Sequence, residues 1–339
     1  MKIGEFVKKY KKYIIGVILL SVIFLVGKFV TTIDFNKLSV YLKKIPLLFI
    51  GVFAASVINY IFGTIAWRWC ITDKNYKIPF LRLFLYKQVC EMLSIFNPTG
   101  VIAGDSLKVV YLNHENVSSD SALSSIILTR IMVLISFILF ISLSILYIMF
   151  THLQGSQTYL LASGMIVVLG VIFYLNMRLI IHPKLYTAKF VGWLNKKTKF
   201  VSEKAVAKAE EVNIKMSEFY KENPKRFWGA FIFSFMQWIF GALEFYIILV
   251  MLNLNINVLD AIAVEAGVVF IKNLAAFIPG QIGVEEYGNK LMLDMIKVNS
   301  NEIWLIATLA RRTRQLLWII LAAIFAVIIS KKTGIKRFK

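Results

Sequence analysis

Cysteine and histidine are scarce in this chain of 339 residues, which contains two cysteines and three histidines. Cys70 and Cys90 have no CxxC spacing and the histidines are scattered, so we expect neither a disulfide framework nor a metal site. Phosphate-binding loops of the GxxxxGK[ST] type are also missing. We therefore expect no cofactor and no direct use of ATP.

Charged residues are few, at 17% of the chain, whereas 58% of the residues are apolar. A soluble domain of this length could not bury so much apolar surface, which predicts an integral membrane protein. The charges are unbalanced, with 39 Lys and Arg against 19 Asp and Glu. In a membrane protein this excess favours anionic lipid headgroups, rather than nucleic acid, as partners.

Long apolar runs predict an all-α polytopic membrane protein with six full spans, each near the roughly 20 residues that cross a bilayer as a helix. They lie at 13–30, 45–67, 122–150, 158–181, 227–252 and 302–329. The first follows a basic start and lacks an A-x-A cleavage pattern, so we interpret it as a retained signal anchor. The shorter stretches 79–96 and 261–278 contain charges and run into Pro/Gly segments, which favours re-entrant or broken helical hairpins.

The distribution of basic residues predicts the orientation, because cytoplasmic loops carry the excess of Lys and Arg. The inside segments of this topology carry 25 Lys and Arg: 1–12, 68–82, 182–226 and 330–339. The outside segments carry five: 31–44, 151–157, 253–260 and 281–301. We expect both termini in the cytoplasm of a bacterial-type plasma (inner) membrane, with the two hairpins entering from opposite faces. A full crossing by one short stretch, compensated elsewhere, would preserve the same pattern.

The basic cytoplasmic segment 182–226 carries aromatic residues, Trp193, Phe200 and Phe219, among its Lys and Arg residues. Such a pattern is typical of a helix at the headgroup level. An ordinary positive-inside loop without a specific ligand fits it equally well.

The chain matches itself, without gaps, at an offset of 181 residues. Between 93 and 130 there are 8 identities in 38 positions. More telling is the register of residues that a bilayer accepts poorly: Pro98 falls on Pro279, Asp105 on Glu286 and Arg130 on Arg311. Within one transmembrane domain covering 1–339, this predicts repeat 1 at 45–150, a linking span at 158–181 and repeat 2 at 226–331.

An odd number of crossings separates equivalent points of the two repeats, so the second copy would be inverted. Inverted repeats with broken helices that line a cavity recur in transporters. Coincidence between two apolar segments of similar composition is the alternative.

Each hairpin contains residues that break helices and allow tight backbone turns. These backbone positions are Pro98, Gly100, Gly104, Pro279, Gly280 and Gly283. After Gly104 the first hairpin is expected to restart as a helix with Asp105 in its first turn. Lys87 and Glu91, four residues apart, form either a structural ion pair or a contact for a ligand, and Lys108 lies nearby.

In the second hairpin, Glu265 and Lys272 share a helix face, and Glu285 and Glu286 follow the Pro/Gly segment. The offset superposes Glu91 on Lys272. Opposite charges at equivalent positions near a twofold axis would be placed to meet, and we hypothesise that they do.

Four arginines within spans are the sharpest signals for a site: Arg130, Arg311, Arg312 and Arg314. A guanidinium cannot be discharged, is costly within a membrane and matches phosphate oxygens bidentately. One possibility is that they only pair with acids inside the bundle. We expect one arginine per repeat to be paired structurally and the others to face a cavity that admits an anionic headgroup.

The motifs Glu91…Asn97-Pro98-Thr99-Gly100…Gly104-Asp105…Lys108 and Ile278-Pro279-Gly280-Gln281-Ile282-Gly283-Val284-Glu285-Glu286, followed by Arg311, resemble the membrane domain of the lysylphosphatidylglycerol synthase/flippase family over about 10–330. The resemblance implies movement of aminoacylated phospholipids between leaflets. Synthesis in that family belongs to a separate soluble domain, which we expect to be absent here.

The main hypothesis is therefore a lipid translocase for an anionic or aminoacylated phospholipid or a polyprenyl-phosphate-linked lipid, rather than an enzyme, so no catalytic residues are assigned. The alternative is an integral-membrane transferase acting on a phosphorylated lipid carrier. A non-catalytic partner of an envelope-biosynthesis complex, or a homo-oligomer, is also possible.

Overall fold

The computed structural model describes residues 45–73, 76–95, 100–152, 155–181, 203–275, 281, 283–298 and 301–333, in which all regular structure is helical. The helices are α1 (Ile45–Cys70), α2 (Phe80–Ile95), α3 (Gly100–His114), α4 (Ser119–Thr151), α5 (Ser156–Ile181), α6 (Glu203–Glu222), α7 (Pro224–Met251), α8 (Val258–Leu274), α9 (Val284–Met295) and α10 (Asn301–Thr333). The predicted signal anchor, Pro98, Pro279 and Gly280 lie outside the described residues.

Five of the six predicted spans are confirmed as helices that are long and apolar enough to cross a membrane. These candidate spans are Phe49–Cys70, Ser119–Thr151, Tyr159–Arg178, Pro224–Met251 and Ile303–Ser330. The two short stretches form α2 and α8, of 16 and 17 residues, and each is followed by a further short helix. This is an all-helical membrane protein.

Local capping explains where several helices begin. Ser118 precedes α4, and its hydroxyl accepts a hydrogen bond from the Ser121 amide. Asn257 and Asp260 form a capping box at the start of α8. Before α9, Gly283 has φ 82°, which glycine tolerates best, and its amide donates to the Glu286 carboxylate.

Two runs of four helices repeat in the same order. α1 to α4 contain 26, 16, 15 and 33 residues, and α7 to α10 contain 28, 17, 12 and 33. Each run consists of a long helix, a pair of short helices and a second long helix. The helix bounds therefore follow the offset of 181 residues, with small differences at the ends.

The first helices of the two runs, α1 and α7, pack against each other along their whole length and are antiparallel. Four glycines mark the line of contact, and a Cβ added to any of them would lie within 3 Å of the partner helix. The contacts run from Gly51 with Ile247, through Gly63 with Gln237 and Gly241 with Asn59, to Gly229 with Trp69. The residue numbers rise along α1 while those of the contacting residues fall along α7, so the two helices run in opposite directions.

The first helix of each short pair packs on the last long helix of the other run. Met92 of α2 joins Trp318 of α10 in one apolar cluster, and Tyr86, earlier in α2, joins Ile329 in another. In the same way, α8 packs on α4, where Tyr147 donates a hydrogen bond to Asp260. The exchange is reciprocal, as expected for twofold pseudosymmetry.

For each pair of short helices, the first residue of the pair and the last lie at the same end of the bundle. Arg82, near the start of α2, lies 2.8 Å from Glu115, just after α3. At the other end, Leu252 before α8, Ile296 after α9 and Ile148 of α4 share one apolar core. The two pairs thus start from opposite ends of the bundle.

Helices α5 and α6 connect the two runs. α5 exposes most of its apolar side chains, as a lipid-facing helix does. α6 is amphipathic, and its Phe219 is buried against Phe227 of α7. Trp193 and Phe200 lie outside the described residues.

Replacing Gly229 by alanine tests the close contact between α1 and α7. The new Cβ would lie 2.5 Å from the Trp69 ring, so we expect a loss of about 1–3 kcal/mol of stability. Gly170→Ala in α5 is the matched control, since nothing lies within 4 Å of its Cβ and alanine favours a helix by about 1 kcal/mol. Thermal unfolding of purified protein in detergent measures both; equal midpoints for the two variants would contradict the packing.

Candidate functional site

Five charged residues of α2, α3 and α4 form a cluster that we call the first cluster. Its members are Lys87, Glu91, Asp105, Lys108 and Arg130. Lys87 lies 2.7 Å from Glu91, and Lys108 lies 3.5 Å from Asp105 and 4.0 Å from Glu91. Arg130 lies 2.7 Å from Asp105. The carboxylates are therefore shared between cations of three helices.

Sequence spacing accounts for part of this arrangement. Lys87 and Glu91 are one turn apart on α2, and Asp105 and Lys108 are one turn apart on α3. Arg130 comes from about three turns into α4 and reaches across to Asp105. Helix α3 begins at Gly100, so Asp105 lies in its second turn, contrary to the expectation of a first-turn position. Asp105 therefore binds cations instead of competing for the helix N-terminus.

A cavity of about 420 Å³ opens beside the first cluster. Its lining combines four cluster members with aromatic and amide side chains from α1, α4, α7 and α8. These lining residues are Trp67, Lys87, Glu91, Lys108, Arg130, Phe137, Gln237, Trp238 and Asn273. Arg130 is half exposed, at 50%, whereas Lys87 is buried. A guanidinium is thus available to a molecule that enters this cavity.

The first cluster has an excess of positive charge, because its three cations face only two carboxylates. The Lys108 ammonium also lies 5.6 Å from the centre of the Trp67 ring, which holds this cation at the cavity wall. An anion would balance the cluster. The aromatic wall gives the cavity an apolar side suited to the upper part of an acyl chain or a prenyl chain.

Eight charged residues of α7 to α10 form the second cluster. They are Glu244, Glu265, Lys272, Glu285, Glu286, Arg311, Arg312 and Arg314. Arg311 is at its centre, 2.8 Å from Glu265 and 3.5 Å from both Glu244 and Glu285. It is buried at 6% exposure, and all three carboxylates are buried with it. The Arg311 guanidinium also lies 5.6 Å from the ring of Phe245.

The other cations of the second cluster complete its charge balance. Arg314 lies 2.9 Å from Glu244, and Lys272 lies 3.4 Å from Glu285. Arg312 lies 3.5 Å from Glu285 and 3.4 Å from Glu286. Four cations meet four carboxylates, so the cluster is neutral when all are ionised. The equivalent regions of the two runs therefore differ: one lines a cavity with excess positive charge, and the other is balanced around the buried Arg311.

Tyr60 of α1 connects the two clusters. Arg314 donates a hydrogen bond of 3.3 Å to the Tyr60 hydroxyl, and the Lys87 ammonium lies 5.7 Å from the centre of the same ring. The ring packs edge-on against Trp318, with centroids 4.8 Å apart. Charge changes in either cluster therefore act on one partly buried side chain.

The structure brings the predicted site residues into these two clusters, although with some different partners. The predicted contact between Glu91 and Lys272 is replaced by pairs with Lys87, Lys108 and Glu285. Arg130 both pairs with an acid and faces the cavity. Arg312 and Arg314 pair within the second cluster, and neither lines the cavity. Among the described backbone positions, Gly100 begins α3, Gly104 is buried and Gly283 precedes α9.

Glu244 and Tyr60 were missed by the sequence predictions. Glu244 lies in the middle of the apolar run 227–252, and it is the only acid there, so the reasoning applied to the arginines could have identified it. Tyr60 gave no comparable signal, because tyrosine is common in spans. Its position between the clusters depends on the packing of α1 against α2 and α10.

The sequence of this chain matches a known protein family over most of its length. The sequence profile described as "Lysylphosphatidylglycerol synthase TM region" matches residues 13–324. The chain belongs to this family. No curated protein and no solved structure matched the chain. Membership of the lysylphosphatidylglycerol synthase transmembrane-region family confirms the predicted resemblance and indicates a lipid-related membrane function.

Arg130 and Arg311 occupy equivalent positions but should differ in their effect on stability. Arg311→Gln leaves three buried carboxylates undercompensated, and we expect a loss of about 3–5 kcal/mol. Arg130→Gln removes a half-exposed partner and should cost at most about 1 kcal/mol. Thermal unfolding in detergent compares the two variants, and similar losses would show that the clusters do not differ in burial as described.

Proposed function

We propose that this protein is a lipid translocase built from an inverted repeat. In this proposal α1, α4, α7 and α10 cross the bilayer, and the pairs α2–α3 and α8–α9 are re-entrant hairpins that enter from opposite faces. The antiparallel contact of α1 with α7 supports the inversion, as does the reciprocal packing of each hairpin on the other repeat. Such repeats commonly bind substrate near the midplane, where they meet.

The substrate class follows from the charge and shape of the cavity. A phosphodiester carries one negative charge, which would balance the excess of one cation in the first cluster. Arg130 offers a planar donor group for phosphate oxygens, and Lys108 adds a second cation. The lipid tails would remain in the bilayer, beside the exposed apolar side chain of Leu134 at the cavity edge.

The observation that carries the proposal is the difference between the two equivalent clusters. In an inverted repeat, exchanging the conformations of the two halves converts a cavity open toward one face into a cavity open toward the other. Here the first cluster lines a cavity, whereas Arg311 and its three carboxylates in the second cluster are buried. Transport would open the second cluster and close the first, so the headgroup would be exposed to the two faces in turn.

The orientation is also part of the proposal. The end of the bundle at which α1 ends and α7 begins carries Arg68, Lys77, Lys225 and Arg226, and we place it in the cytoplasm. The termini would then be cytoplasmic as well, in the plasma membrane.

Arg130→Gln should abolish most lipid movement while the protein remains folded. In liposomes containing purified protein and phosphatidylglycerol with a fluorescent headgroup, chemical quenching from outside measures exchange between leaflets. We expect at least about a tenfold lower rate, since a charged hydrogen bond to phosphate contributes about 1.5–3 kcal/mol. Arg82→Gln is the matched control, because Arg82 is also half exposed and paired with a carboxylate but does not line the cavity.

An unchanged rate in folded Arg130→Gln protein would refute the translocase proposal for this cavity. The same liposomes test the transferase alternative. Exchange in the absence of any donor substrate supports translocation, whereas a new lipid product that forms only with a donor supports a transferase.

Tyr60→Phe tests the connection between the clusters. The variant keeps the ring beside Lys87 and loses the hydroxyl that binds Arg314. We expect slower exchange in the liposome assay, with unchanged binding of phosphatidylglycerol, because the hydroxyl lies outside the cavity lining. Tyr159→Phe on the exposed surface of α5 is the control. Normal exchange by Tyr60→Phe would mean that the two clusters act independently.

A further inference from the structure

A second cavity, which we call the arginine pocket, lies on the opposite side of α1 from the first cluster. It has a volume of about 690 Å³ and is lined by Ile61, Ile65, Arg68, Trp69, Tyr76, Phe80 and Arg226. Helix α1 separates the two cavities, because Gly63 and Trp67 face the first whereas Ile65 and Trp69 face this one. The pocket lies where α1 ends and α7 begins.

The polar side of the arginine pocket contains two guanidinium groups, and no carboxylate is among its described lining residues. Arg226 donates one hydrogen bond to the Ile71 carbonyl, which holds its side chain in place. Burial raises the pKa of the Tyr76 phenol, and the charges of Arg68 and Arg226 oppose this shift, so both arginines act on the same hydroxyl. The polar side therefore has two converging cations.

The remaining walls are aromatic and aliphatic. Trp69 is seated on Gly229 of α7, and its ring lies 6.0 Å from that of Phe233. Ile61 and Ile65 continue along α1 away from the arginines, toward the middle of the span. The pocket therefore presents cations first, then aromatic rings and then aliphatic side chains. At one leaflet, these groups would contact phosphate, glycerol and acyl chains in the same order.

We propose that the arginine pocket binds the phosphate group of an anionic phospholipid from the leaflet at this end of the bundle, as a site separate from the translocation cavity. The acyl chains lie along Ile61 and Ile65. Two guanidinium groups exceed the single charge of the phosphodiester, which favours a headgroup without a cation of its own over a zwitterionic one. The proposal does not depend on translocation by the first cluster.

Native mass spectrometry of the full-length protein in detergent, titrated with dioleoyl phosphatidylglycerol, tests this site. We expect Arg68→Gln to weaken the tightest binding step about fivefold, and the double variant with Arg226→Gln to weaken it more, since each basic residue contributes about 1 kcal/mol. Arg82→Gln, at the same end but outside the pocket, should bind as the wild type does. Arg68→Gln decides the outcome if the double variant does not fold.

Two further titrations identify the source of the phosphate. Dioleoyl phosphatidylcholine should bind more weakly than phosphatidylglycerol, and millimolar inorganic phosphate should not displace the lipid. Wild-type affinity in folded Arg68→Gln protein would overturn the proposal. Equal binding of the two lipids, or displacement by inorganic phosphate, would also overturn it, because the site would then select acyl chains or the free anion.

Arg130→Gln separates this site from the translocation cavity. This variant should leave the Arg68-dependent binding step unchanged, whether or not it slows lipid exchange. Loss of that step in Arg130→Gln would mean that the two cavities are one site, contrary to the proposal.

Discussion

The cost of holding guanidinium groups within an apolar bundle constrains the whole structure. Arg311 has to be charged, and removing it from water costs more free energy than one carboxylate returns. Three carboxylates from three helices surround it: Glu244 of α7, Glu265 of α8 and Glu285 of α9. These ion pairs with Arg311 offset part of the cost of burying the carboxylates of α8 and α9. The same requirement places Asp105 beside Arg130 in the other repeat.

The antiparallel pair of α1 and α7 determines how the two runs of helices meet. Glycines along the pair let the backbones approach closely, which is how membrane helices associate when the hydrophobic effect contributes little. With α1 and α7 fixed in opposite directions, α2 lies against α10, and α8 lies against α4. Each pair of short helices thus touches both runs. In the proposed translocation, a movement of one run relative to the other would have to rearrange both pairs.

The sequence was sufficient for five of the candidate spans and for the membrane family, and it drew attention to most of the charged residues that form the two clusters. Apolar length and the register of Pro98, Asp105 and Arg130 carried that information. It was not sufficient for the partners. Glu91 pairs locally with Lys87, one turn away, instead of with the symmetry-related Lys272, because a neighbour on the same helix needs no tertiary contact. The sequence also did not predict that Arg311 is buried whereas Arg130 is half exposed, because the two arginines occupy matching positions in similar sequence contexts.

In the proposed translocation, the difference between the clusters and their connection through Tyr60 would belong to one mechanism. A neutral, buried cluster is stable without a ligand, whereas a cluster with one excess cation gains stability when an anion enters. An entering phosphate would change the field at Lys87 and at the Tyr60 ring, and the hydroxyl of that ring binds Arg314 of the second cluster. Lipid binding on one side would thereby loosen the closed side. Coupling of this kind is required of a transporter that moves a headgroup without opening both faces together.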